Sequence, residues 1–438
     1  MSPAALRALG RDVARTALDR ALTYTSDDGE TVVMPLLLAP ALVSRADAAY
    51  LHRTCVTLHS AVRKTALARR HDPAIRELLP VLPGEDEWLA LAPEAPAPFV
   101  GRFDMNVDVA RGARSAQLLE FNGCAIGGIH SGPATSETVL QHVVPLDGAV
   151  KARMPESMSE VWIDVLGDHA RALGRSALHV AWLEDRDWDA GITEGPTLAQ
   201  YLCRAGHHAR VADPRELELR GDEIVLDGRP LDIAYRGIEL RDLLLIEAET
   251  GPLTVLREAV RRNRVMSPLE GDLDHKSLLE VWSSERFAKM FDAAERAVFR
   301  RHVLWTRLVT ARKTDDASGR TVDLPAYARK HRAKLVLKPN RACGGEGILV
   351  GRDTTAAKWD QAIERSVTGA DHAVVQTYIK GATIASPVVR GGRIHHERHF
   401  TNFGLCASPR RLGILGRAAP FPGVNVSRGG GILGVLIA

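Results

Sequence analysis

TVVMPLLLAPALV (31–43) is almost uninterrupted in its apolar residues, and the segment after it, SRADAAYLHRTCVTLHSAVRKTALA (44–68), sets them three and four apart behind a serine. The first pattern predicts an extended run and the second an amphipathic helix with Ser44 as its N-cap. MSPAALRALGRDVARTALDRAL, at the start, has the same helical spacing, with Asp and Arg interrupting each apolar run. A proline-rich stretch, LAPEAPAPFVG (91–101), reads as a loop or seam. Two alternating runs follow in RFDMNVDVARGARSAQLLEFNG (102–123), joined through a glycine, which predicts a hairpin turning at Ala113. From about 176 to 265, strand-like runs such as HVAWL and DIAYRGI alternate with helical ones such as GPTLAQYLCRAGHHA, around an ELRGDEIVLDGRPL hairpin. That alternation predicts a small α/β sheet unit. Residues 272–312 read as helical. A strand with a glycine loop, KLVLKPNRACGGEGILVG (334–351), comes next, then a helix in TAAKWDQAIERSVTG and several short strands. No internal repeat or low-complexity tract is present.

The 438 residues exceed what one hydrophobic core usually supports. The expected division is 1–170, 171–268 and 269–438. A 45% apolar fraction is ordinary for a globular protein. Lys plus Arg number 57 against 54 acids, with no separate basic block, so nucleic acid is not an expected partner. The longest apolar run is too short and too proline-broken to span a bilayer, and the N-terminus lacks a signal-peptide core. Five cysteines at 55, 124, 203, 343 and 406 form no CxxC pair. A reduced, cytoplasmic setting without structural zinc is the expectation.

Two stretches carry chemistry. In KLVLKPNRACGGEGILVG, Lys338 ends the strand and can place its ammonium on phosphate oxygens, while Gly344, Gly345 and Gly347 let backbone fold closely over them. This is neither GxxxxGK[ST] nor a GxGxxG that opens a helix, and a plain glycine hairpin is the competing reading. In the 102–123 hairpin, Arg102, Asp104, Asn106 and Asp108 share one face, and Glu120 and Asn122 share one on the return strand. A turn at Ala113 sets Asp104 across from Asn122 and Asn106 across from Glu120. A solvated face is the bland reading; carboxylate and amide oxygens crowded together are also what magnesium takes, alongside substrate phosphates.

Together, the acidic hairpin, the intervening α/β unit and the later glycine loop resemble the circularly permuted ATP-grasp ligases, the group of eukaryotic-type glutathione synthetase and glutathionylspermidine synthetase. RFD and LLEFNGCAIGG match that group's R-x-D and E-x-N motif, and LVLKPNRACGGEGILVG its K-P…G-G-x-G loop. DLDHKSLLEVW (272–282), DIAYRGI and AVVQTYI (373–379) are weaker matches. The resemblance covers about 100–438 and implies a permuted ATP-grasp fold, α/β in class, with an inserted α/β substrate-binding domain. It implies magnesium on Asp104, Glu120 and Asn122, with Asp108 as the alternative third ligand because the turn is longer than the family's. It implies ATP phosphates on Lys276 and Lys338, a lid of Gly344, Gly345 and Gly347, and adenine against Gln376, Tyr378 and Ile379. Arg102 would hold the acyl phosphate or tetrahedral intermediate. Arg417, Asn425 and Arg428 lie beside glycines in the C-terminal stretch where the family closes its active site, and read either as a second carboxylate site or as turn and solvated arginines. Where the family often carries an acid after the loop lysine, this chain has Arg341 and Ala342; Glu346 lies inside the lid without an assigned role.

The implied reaction joins a small-molecule carboxylate, such as an amino acid or peptide, to an amine through an acyl phosphate, releasing ADP and phosphate, in a chain that is a homodimer by default. The competing class is an ATP-binding regulatory or assembly protein without turnover. A dinucleotide oxidoreductase lacks its fingerprint. His395, Glu397 and His399 alternate in IHHERHF, either a zinc cluster or a polar sheet face. Tyr235-Arg236 reads equally as substrate contact or structural ion pairing. Cys124 and Cys343 need no covalent role.

Overall fold

Helix Arg45–Arg69 begins where Ser44 accepts a hydrogen bond from the Asp47 amide at 3.1 Å, and it buries Leu51, Cys55, Leu58, Val62 and Ala66. That spacing lays one apolar stripe on a seven-stranded sheet. The computed structural model describes all residues except 27–28, 95–98, 149, 188–193, 268–269, 343 and 427–428. The central sheet runs in the order 36–43, 431–437, 412–419, 393–407, 102–106, 117–122, with 383–390 also paired to 393–407. Only the first two of these strands are parallel. Strand Leu36–Val43 is therefore bound to strand Gly431–Ile437, and the acidic hairpin reaches the sheet through strand Arg393–Ala407.

Helices Pro3–Asp19, Ser131–His142 and Met158–Ala172 carry the second apolar core, around Trp162, Leu166, Ile129 and Leu415. The α/β unit forms a four-stranded parallel sheet in the order 265–266, 233–236, 179–183, 208–212. Its ELRGDEIVLDGRPL segment is a separate three-stranded antiparallel sheet.

The glycine loop belongs to a third, antiparallel sheet in the order 306–308, 373–377, 335–339, 349–350. One face, with Leu335, Leu337 and Val375, packs on helices Leu324–Lys330 and Ala356–Val367. Cross-strand alternation puts Lys338, Val336, Gln376 and Thr306 on the other. The expected helical stretch 272–312 stops short: helices Leu278–Ser283 and Ala293–His302 give way to strand Thr306–Leu308. The β-branched and alternating residues there pair with 373–377, so sheet pairing overrides the helical reading. Among the described residues no helix is long and apolar enough to cross a membrane.

Candidate functional site

Strand Arg102–Asn106 pairs with Gln117–Asn122 so that Arg102 faces Asn122 and Asp104 faces Glu120. This corrects the expected register by two residues. Two 3-10 turns, Val109–Arg111 and Ala113–Ser115, replace a tight turn at Ala113, and the register slips between Asp104 and Met105. The slip leaves Leu119 unmatched, a β-bulge of the kind that frees a backbone group beside a site. Lys338 Nζ lies 3.5 Å from the freed Leu119 carbonyl. Asp108 stands apart from this face. It lies past the strand end at Asn106, and its carboxylate caps the first 3-10 turn through the Ala110 amide at 3.1 Å.

Asp104 is wholly buried. Its Oδ1 accepts from Arg102 Nε at 2.7 Å; its Oδ2 accepts from Arg102 Nη2 at 3.1 Å and Asn122 Nδ2 at 3.4 Å, and lies 2.7 Å from Arg417 Nη2. Burial pushes this carboxyl up, but the two guanidinium groups outweigh it and hold the pKa well below the carboxylate range. Arg102 also donates to the Gly127 carbonyl at 2.7 Å.

Lys276 donates to the Ala342 carbonyl at 2.6 Å and lies 3.3 Å from Glu120 Oε2. Burial, opposed by Glu120 and reinforced by Lys276, pulls the Lys338 ammonium down to about 8. Two lysines from separate segments thus meet one carboxylate at the root of the glycine loop. Gly344, Gly345 and Gly347 all have left-handed φ, 67°, 74° and 65°, which a side chain would strain, and Asn425 donates to the Gly344 carbonyl at 2.7 Å. Glu346 is exposed at the tip. A small cleft of about 20 Å³ opens beside this root, lined by Glu120, Asn122, Glu239, Asp274, Lys276 and Arg341.

The resemblance implies nucleotide phosphate on Lys338; phosphate favours the charged form, so on that expectation the lysine takes up a proton when nucleotide binds. Affinity for MgATP is then full below pH 8 and falls as pH rises past 8, by up to about tenfold per pH unit until the bound-state pKa is reached. Calorimetry in buffers of different ionisation heat reads that proton directly; a pH-independent affinity between 7 and 9 would remove Lys338 from the phosphate contacts.

On the opposite strand, Gln376 is buried and donates to Thr306 Oγ1 at 3.0 Å. Tyr378 lies under the Arg352 guanidinium at 4.0 Å, and its amide already donates to the Lys334 carbonyl at 2.8 Å. Ile379 is half-buried beside it. Arg236 is buried against the Ser267 carbonyl and Asp272, and Tyr235 stacks on Trp182 at 4.3 Å, so both serve the interior of the parallel sheet. Glu397 is engaged by Arg390 at 2.8 Å, and among the described residues no three metal-binding side chains converge. Cys124 is pushed up to about 12 by burial; Cys343 and Arg428 lie outside the described residues.

Sequence reasoning missed Glu239, Asp274 and the Glu85 partner of Arg341, which come from distant segments. Burial raises Glu239 to about 7 and Asp274 above its usual range. It also missed Gly404, whose only sequence signal is a glycine inside an alternating strand.

No protein-family profile matches the sequence, and no curated protein does. Among solved structures, a glutathione synthetase-like effector from Globodera pallida superposes with TM-score 0.65 at 14% identity, over 100% of this chain and 98% of that one. A putative gamma-glutamylcysteine synthetase from Methylobacillus flagellatus gives 0.42 at 11% identity, over 92% and 90%. A RimK-domain ATP-grasp protein from Sphaerobacter thermophilus gives 0.27 at 14%, over 55% and 91%. The first similarity carries the fold: this chain has the mixed α/β, ATP-grasp architecture of a glutathione synthetase-like protein.

Proposed function

We propose that the protein is an ATP- and magnesium-dependent carboxylate–amine ligase that forms an amide through an acyl phosphate. The observation that carries this is the meeting of Lys276, Lys338 and Glu120 at the root of a loop whose three glycines are left-handed. Phosphoryl transfer asks a protein for positioning and charge neutralisation, which two buried lysines and a close-folding backbone supply. Glu120 and Asn122, half-buried side by side and lining the cleft, fit magnesium that completes its shell with phosphate oxygens. That ion would neutralise the phosphoryl oxygens. Arg102 and Arg417 hold the acid, and the lid over Gly344–Gly347 excludes water from the acyl phosphate. The permuted chain order and the assignment of 171–268 as the substrate-binding unit belong to the same reading, as do Gln376, Tyr378 and Ile379 on the adenine side.

A second reading, nucleotide binding without turnover, is favoured by one observation. Asp104 is filled by arginines and Ala342 offers no carboxylate, so the protein supplies few metal donors. Mg-ATP incubated with pooled amino acids and small carboxylic acids separates the two. Release of ADP with a product one water lighter than its parents supports the ligase; bound ATP without ADP supports the second reading, and AMP would overturn both.

A further inference from the structure

Asp104 is the most heavily engaged carboxylate of the site, and its closest partners are two guanidinium groups. We infer that it does not ligate the divalent ion but is a positioning residue for a paired-guanidinium site, Arg102 and Arg417, that takes the oxyanion of the acid substrate. This rests on the ligase reading above. A metal ion at Asp104 would have to displace a guanidinium held at 2.7 Å and then sit against two like charges inside a low-dielectric interior. Glu120 is freer of that conflict, since no guanidinium is hydrogen-bonded to it and its closest cation is Lys276 at 3.3 Å.

Arg417, in contrast, is left with a donor to offer. Its Nη2 meets Asp104 Oδ2 at 2.7 Å, while its Nε hydrogen is buried without an acceptor among the described residues. Buried donors without acceptors cost stability unless a ligand fills them. A guanidinium pair held by one carboxylate presents forked donors, which suit the two oxygens of a carboxylate or the oxygens of its phosphoryl ester.

Gly404 completes the device. It lies opposite Asp104 on the neighbouring strand, and a Cβ there would come 2.6 Å from Arg102 Cδ. The glycine is needed for space, because Arg102 crosses the strand over it to reach Asp104 and the Gly127 carbonyl.

The test is a double dissociation that needs no turnover. Mn2+ binding is followed by electron paramagnetic resonance with a non-hydrolysable ATP analogue present, and inorganic phosphate binding by calorimetry in the same nucleotide-filled protein. Asp104→Asn and Gly404→Ala should keep Mn2+ affinity within about twofold and weaken phosphate by roughly tenfold or more. Glu120→Gln should do the reverse, weakening Mn2+ by about 10–100-fold. Gly404→Ala leaves every charge in place, so it carries the test if Asp104→Asn folds poorly. Asp104→Asn weakening Mn2+ as Glu120→Gln does, or phosphate bound equally by Gly404→Ala, overturns the inference. Both dissociations intact in a protein that forms no product would support it and overturn the ligase reading alone.

Discussion

Replacing Lys338 by alanine is expected to lower kcat for ATP turnover by at least about 10²–10³-fold, with the thermal midpoint within about 3 °C of wild type. The two halves of that expectation have one cause. Lys338 is 8% exposed, sits near a second lysine, and has its ammonium pulled down to about 8 by burial. A buried charge held at such a disadvantage contributes little to folding, so removing it costs the fold little. It does remove the ammonium that meets the bulged Leu119 carbonyl at the root of the glycine loop. Arginine at this position should not rescue, because a planar guanidinium does not reproduce the compact point charge of an ammonium. ADP release by Lys338→Ala at the wild-type rate would sink the ligase assignment. A large fall in midpoint would instead make Lys338 structural.

The hairpin part of the candidate site was legible because its residues lie close together in sequence. Alternation along 102–106 and 117–122 puts Arg102, Asp104, Glu120 and Asn122 on one face whatever the exact register, so a two-residue error in pairing leaves the face intact. The bulge at Leu119 was not legible, because it is set by the two 3-10 turns and by the neighbouring strand 393–407 and not by local alternation. Asp108 shows the limit of periodicity: it keeps the right parity but lies past the strand end, where capping a turn claims its carboxylate. The helix expected through 312 failed for a related reason, since Thr306–Leu308 completes a sheet whose other strands lie 30 to 70 residues away. The partners of Arg341 and Arg102 were invisible because they depend on tertiary contacts with Glu85 and Gly404.

Arg341 is where the second large effect is expected. It follows the loop lysine by three residues and makes its closest ion pair away from the cleft, donating to Glu85 Oε1 at 2.6 Å with Asp274 at 3.8 Å. Glu85 is fully buried, and its other oxygen accepts from the Leu82 amide at 2.7 Å. Arg341→Met strands that carboxylate, which should cost about 3–5 kcal/mol. Glu85→Gln alone strands a guanidinium that keeps Asp274 and some solvent, so its cost should be smaller. The double variant should recover most of the loss, because removing both charges leaves little to desolvate. Denaturant unfolding of the four proteins measures the coupling, and additive losses would show that the pair contributes nothing. The functional consequence follows from Ala342, the next residue, whose carbonyl receives Lys276 Nζ at 2.6 Å. Loosening the loop root at Arg341 releases that contact, so ATP binding should weaken in Arg341→Met and return with the stability in the double variant. If affinity stays weak in a restored fold, Arg341 acts on nucleotide directly, and the anchoring role assigned to it here is wrong.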